Sequence, residues 1–238
     1  MKFTGNILYG MALLATGLSA NAQKNKGYTL TGDLKDTKLK MVYLVRNGEN
    51  DNPFIDSAKV EKGKFVFKGV LPAAEFVGIK KSRAGYNGIW FFLDNAPVSL
   101  KVSADSLQLA VITGSPAQDA YKEWDVQWEA LRQEALKFYQ LSDAAEKMSN
   151  KDSAQVAKQA VAEGFAALDK KLEALVAGAV AKYPNSPASA FIIKSRYVDY
   201  PYPDLAKKYY SQLGDDARNS IYGKQIGEVM SKMAKTDI

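Results

Sequence analysis

The sequence predicts an α+β chain with its two kinds of structure segregated. An antiparallel β-sandwich or open barrel of about eight strands comes first, and a helical bundle with a long helical hairpin follows. Three observations carry this. Apolar residues recur at every second position in short runs between Tyr28 and Val111. At Ser115 the apolar spacing changes to three and four. Within the first region, residues 56–71 put Phe65 and Phe67 on one face of an alternating run, where burial of each is worth about 1.5 to 3 kcal/mol.

The strands follow in order. Tyr28, Leu30, Gly32 and Leu34 form the first run, and Leu39, Met41, Tyr43 and Val45 the second. A polar loop, residues 46–53, carries Asn47, Gly48, Asn50, Asp51 and Asn52. Residues 56–71 then read as a β-hairpin: Asp56, Ala58 and Val60 alternate, residues 61–64 turn, and Gly63 supplies the positive φ such a turn favours. Residues 76–79 make a fifth strand. Residues 89–93 make a sixth, whose unbroken apolar run suits a strand buried on both faces. Val98, Leu100 and Val102, then Leu107, Leu109 and Val111, complete the series.

Past the boundary, Ser115 and Gln118 have the spacing of a capping box, with Pro116 at the first helical position. Tyr121, Trp124, Trp128, Leu131, Ala135 and Phe138 form one helical stripe. Asn150 caps a second helix, with a stripe through Val156, Ala160, Phe165, Leu168, Leu172, Leu175 and Ala179. Ser186 and Pro187 open a third helix. Residues 197–204 hold Tyr197, Tyr200, Pro201, Tyr202 and Pro203 and read as an extended connection. Residues 204–213 and 215–235 read as two closing helices, the last capped by Asp215.

The chain has 238 residues, 47% hydrophobic and 24% charged, a globular rather than a disordered composition. Lys2, an apolar run from Ile7 to Leu18, and Ala20, Asn21 and Ala22 make residues 1–22 an expected secretory signal. Residues 23–114 are then the expected strand domain and residues 115–238 the helical domain. The mature chain is expected to be periplasmic, without a transmembrane segment and without lipid attachment, since no cysteine follows the leader. Net charge is +6, a mild basic excess that suits anionic envelope surfaces, and export argues against a nucleic-acid partner.

Cysteine and histidine are both absent, so thiol, imidazole and most metal chemistry has no carrier here. No catalytic, cofactor-binding or metal-binding residue is assigned, and no cofactor is expected. The basic, glycine-containing loop of residues 80–88 and the tyrosine-rich segment offer a candidate partner surface of Arg83, Tyr86, Tyr197, Tyr200 and Tyr202. Two other readings stay open. One is a self-associating spacer, dimeric through the long helices; the other is a hydrolase working with carboxylates such as Asp94, Glu123, Asp125, Asp215 and Asp216.

The order Asp56, Ser57, Ala58, Val60, Gly63, Lys64, Phe65, Phe67, Gly69, then Phe91, Phe92, Leu93, Asp94, Asn95, then Thr113, Gly114, Ser115, then Asn219, Ser220, Tyr222, Gly223, Lys224 resembles one family. It is the uncharacterised N-terminal domain found ahead of thioredoxin-like modules in exported thiol:disulfide interchange proteins of Gram-negative bacteria. There the last helix leads through a linker resembling residues 235–238 into a thioredoxin-like domain with paired cysteines. The resemblance implies a non-catalytic exported binding or scaffold module, with an envelope protein such as a thioredoxin-like redox protein as partner. None of the family's redox chemistry falls on a residue of this sequence, because exchange needs a thiolate.

Overall fold

A computed structural model describes residues 27–34, 38–47, 54–83, 88–103 and 106–236, with the side chains of 103–109 and 234–236 left aside. The expected signal, residues 1–22, lies outside them. Eight strands come first: β1 Tyr28–Leu34, β2 Met41–Arg46, β3 Phe54–Lys59, β4 Lys64–Gly69, β5 Glu75–Lys80, β6 Gly88–Leu93, β7 Pro97–Ser103 and β8 Ser106–Thr113. They form two four-stranded sheets, ordered β4-β1-β7-β8 and β3-β2-β5-β6. Leu30, Phe65, Phe67, Leu100 and Val98 from the first sheet meet Val42, Leu44, Val77, Phe91 and Leu93 from the second in one buried cluster. The α+β architecture with segregated parts is therefore present.

Several local expectations change on contact with neighbouring strands. The pairing is antiparallel except between β1 and β7, which run parallel, because the chain reaches β7 only after laying β5 and β6 in the other sheet. Residues 56–71 do not form a paired hairpin. Lys62 and Gly63 both have positive φ, 51° and 79°, and Glu61 and Lys64 exchange two hydrogen bonds of 2.9 Å, as in a type I′ turn. Beyond that bridge the arms separate. β3 joins β2 through five residue pairs, while β4 joins β1, so the turn is a corner between sheets. In β2 the core takes Val42 and Leu44 rather than Met41 and Tyr43, and a bulge between Leu44 and Val45 buries Val45 as well. In β8, Ile112 lies opposite Leu100 and Val111 opposite Lys101, so Ile112 turns inward and Val111 outward.

β6 is covered on both faces, as its composition suggests. Ile89, Phe91 and Leu93 enter the sandwich, and Trp90 and Phe92 point the other way with Phe76 of β5. That second face receives the helices, so the molecule is layered sheet, sheet, helix. Phe76 and Phe92 pack with Tyr121, Phe191 and Tyr222 at ring separations of 4.7 to 6.1 Å.

The helices are α1 Pro116–Glu146, α2 Lys151–Lys182, α3 Pro187–Ile193, α4 Pro203–Tyr210, α5 Asp215–Asn219 and α6 Ile221–Thr236. At 31 and 32 residues, α1 and α2 form the expected hairpin, each roughly 45 Å long. Ser115, Asn150 and Ser186 cap their helices through hydrogen bonds from the N–H groups of Gln118, Ser153 and Ala188. The capping box is only half made. Gln118 Oε1 accepts from the N–H of Phe92 at 2.8 Å, and the Ser115 hydroxyl reaches the Phe92 carbonyl at 2.9 Å. A buried β6 edge needs those partners more than the helix end does. Asp94, one of the carboxylates considered for hydrolysis, accepts from Ala117 N–H at 3.1 Å and lies 2.6 Å from Ser115 Oγ. One hydroxyl proton thus serves two acceptors.

Elsewhere the helical expectations shift. In α2 the inward residue of the first turns is Ala157, and Val156 is exposed. Residues 194–198 continue α3 as a π-helical turn instead of an extended connection, and Pro203 starts α4. The last helix is capped by Ser220, whose Oγ accepts from Gly223 N–H at 3.1 Å, and not by Asp215, which sits in the separate short α5. Among the described residues no helix is long and apolar enough to cross a membrane.

Tyr222 ties α6 to the second sheet, its hydroxyl accepting from Phe76 N–H at 2.7 Å in a buried site. Burial pushes this phenol far up, with Phe76 opposing, so it stays neutral and able to accept. Tyr222→Phe keeps the ring contacts and strands the N–H. The expected loss is about 1 to 3 kcal/mol in urea denaturation, well above that of a surface Tyr→Phe change.

Candidate functional site, an aromatic groove beside the π-helical turn

A π-helical turn adds a residue to a helical turn and re-aims the side chains after it. Here Asp199 N–H bonds Lys194 C=O at 2.9 Å and Tyr202 N–H bonds Tyr197 C=O at 3.1 Å. Tyr197 and Arg196, neighbours within this turn, take different partners. Tyr197 turns inward, 4% exposed, and stacks on Tyr209 at 5.9 Å. Burial, then the neighbouring Tyr209 and Glu173, push its phenol up. Arg196 instead reaches α1, where its guanidinium carbon lies 4.4 Å from the Trp128 ring centroid and 5.9 Å from that of Trp124. The two indoles stack on each other at 5.7 Å and 15°.

This arrangement closes one end of a groove of about 500 Å³. Leu131, Ala135, Leu136 and Tyr139 of α1 form one wall, and Phe165, Leu168 and Leu172 of α2 the other. Tyr200 and Tyr202 stand at its mouth. Leu136 is 49% exposed, Tyr139 58%, Tyr200 63% and Tyr202 53%, so the groove is open along its length and apolar. No residue between 129 and 171 belongs to the main helical core, so this part of the hairpin packs chiefly on itself, through Phe138, Tyr139 and Phe165.

The charges are uneven. Arg132 is paired with Glu129 at 2.9 Å. Arg196 makes no ion pair with any carboxylate among the described residues, and its only hydrogen bond there is a long one of 3.4 Å from Nε to Ser195 Oγ. Asp199, whose charge reaches it, is held by Lys194 at 2.7 Å. Burial lowers the Arg196 guanidinium from its ordinary value, yet arginine remains a cation at any physiological pH. The groove thus presents an apolar trough with an uncompensated, half-buried charge at one end.

The predicted surface residues do not come together. Arg83 lies in the strand region, exposed, its guanidinium carbon 4.5 Å from the Phe54 ring centroid and 5.7 Å from that of Tyr43. Tyr86 lies outside the described residues. Tyr197 is a core residue and forms no surface; Tyr200 and Tyr202 do line the groove. Trp128, Leu131 and Ala135 of the expected α1 stripe line the groove, whereas Leu136, Tyr139 and Arg196 lie outside that stripe. The available signal was the length of the aromatic stripe, which runs on past what the body of the protein can cover.

The carboxylates considered for hydrolysis are dispersed. Asp94 caps α1, Glu123 accepts from Lys182 at 2.6 Å and Tyr183 at 2.7 Å, and Asp215 and Asp216 sit in the first turn of α5. Lys182 and Tyr183 hold Glu123 below its ordinary value. Among the described residues no three acidic side chains cluster as a metal site would need.

Neither the curated proteins nor the solved structures contain a match to this chain. Over residues 28–121, the eight strands and the opening turns of α1 that dock on β6, the sequence matches a family described as a domain of unknown function, DUF4369.

Proposed function

We propose that this chain is a non-catalytic binding or scaffold module of the bacterial envelope, positioning a partner protein beside a thioredoxin-like redox system. Support comes from the leader-like residues 1–22, from the lack of any cysteine that could exchange disulfides, and from the resemblance of the mature sequence to domains that precede thioredoxin-like modules. The observation that carries the reading is the open aromatic groove on the hairpin. Contiguous exposed apolar surface with a polar rim is what protein interaction sites present, and tyrosine, tryptophan and arginine are the residues that dominate their binding energy.

The test is affinity capture from a periplasmic fraction with the full chain and two single variants. Leu136→Asp places a charge in the groove wall; Val126→Asp places one on an exposed α1 position outside it. A partner retained by the wild type and by Val126→Asp, and reduced at least about tenfold by Leu136→Asp, is the expected result. Retention by all three, or by none, overturns the reading. Concentration-dependent mass in light scattering, abolished by Leu136→Asp, would assign the groove to self-association instead.

A further inference from the structure

We infer that the groove takes an acidic, apolar-faced segment of a partner protein, with one carboxylate of that segment seated on Arg196. This deepens the binding-module reading and rests on it. The argument begins with the cation. Trp128 covers the guanidinium at 4.4 Å, which removes water from Arg196 without supplying an anion. Both terminal nitrogens make no hydrogen bond among the described residues. A guanidinium edge left in this state matches a carboxylate, which accepts two parallel N–H bonds from it.

The shape selects a protein segment over a lipid chain. With Leu136, Tyr139, Tyr200 and Tyr202 all about half exposed, an acyl chain lying in the groove would keep much of its length in water. An amphipathic helix has no such difficulty, because its apolar stripe fills the trough while its polar face stays in solvent. The basic excess, +6 over the full sequence and +5 without residues 1–22, favours encounter with an acidic segment. Asp169 on the α2 rim limits how many carboxylates the segment can bring. The acid therefore belongs at the Arg196 end, since Arg132 beside it is already paired with Glu129.

The experiment titrates the full chain, by tryptophan fluorescence and calorimetry, with three synthetic peptides of about 16 residues, long enough to adopt a helix on binding. The first carries leucine at every third or fourth position and glutamate on the remaining surface. The second replaces glutamate by lysine, and the third scrambles the first. The acidic amphipathic peptide should bind at least about tenfold more tightly than the other two. Arg196→Gln should reduce that binding about tenfold or more and Arg196→Lys less, with unchanged far-UV circular dichroism. Leu136→Asp, at an exposed position, serves as the second variant and should abolish it.

Equal binding of acidic and basic peptides, or no binding of either, overturns the inference. So does a fluorescence response to oleate in place of the peptides, or occupation of the groove by a second copy of the chain. A partner captured from the periplasm in a groove-dependent way would leave the binding-module reading standing in each of these cases except the last, which assigns the groove to self-association.

Discussion

Phe67→Asp should unfold the protein or lower its stability by more than about 4 kcal/mol, while Lys68→Asp, one residue further along the same strand, should change it by less than about 0.5 kcal/mol. Phe67 is 1% exposed, paired across the sheet with Leu30 and in edge-to-face contact with Phe65 at 5.5 Å. Replacing it loses about 1.5 to 3 kcal/mol of burial and leaves a cavity. A carboxylate in that space has no cation to meet and either takes up a proton or lets water in, each at a further cost. Lys68 lies on the outer face of an edge strand, opposite Thr29, where a charge of either sign is solvated. Thermal unfolding followed by circular dichroism checks both. Similar midpoints for the two variants would show that β4 presents its other face to the sandwich.

That face was legible in the sequence because period two admits only two registers, and a pair of phenylalanines decides between them. The same logic failed in β2, where both faces carry large side chains, Met41 and Tyr43 on one and Val42 and Leu44 on the other. There the neighbouring strands and a bulge make the choice. The residues of the corner at Lys62 and Gly63 announced a tight turn correctly, but a turn fixes only its own bridge, Glu61 to Lys64. Which sheet each arm joins is set by partners far away in sequence, such as the capture of β4 by β1.

Helix starts were read well at Ser115, Asn150 and Ser186, where one side chain and a nearby N–H settle the matter. The groove was legible only in part, through Trp128, Leu131 and Ala135 of the α1 stripe. Its walls are α1 and α2, but the cation at its end depends on tertiary placement, Tyr197 packing on Tyr209 while Arg196 reaches Trp128, and no local spacing distinguishes those two neighbours.

Phe92→Ala is expected to weaken the strand and helix halves together, by about 3 to 5 kcal/mol, a large share of the roughly 5 to 15 kcal/mol that holds a domain folded. The ring is fully buried on the helix-facing side of β6, against Phe76, Tyr121, Phe191 and Tyr222. Its neighbour Phe91 is equally buried on the other side, inside the sandwich. One strand therefore carries two cores. The backbone of Phe92 keeps its bonds to Gln118 and Ser115 in the alanine variant, so the loss reports the ring and not the tether. If the layers unfold as one unit, the infrared amide I bands of the helices and of the strands should fall in a single transition, about 6 to 20 °C below the wild type. Phe165→Ala is the comparison, since that ring packs on Phe138 and Tyr139 and lies outside the shared core; its shift should be smaller. Helices that kept their original midpoint while the strand signal was lost would mean that the aromatic layer between Phe92 and Phe191 contributes little, and that the bundle is stable without the sheet beneath it.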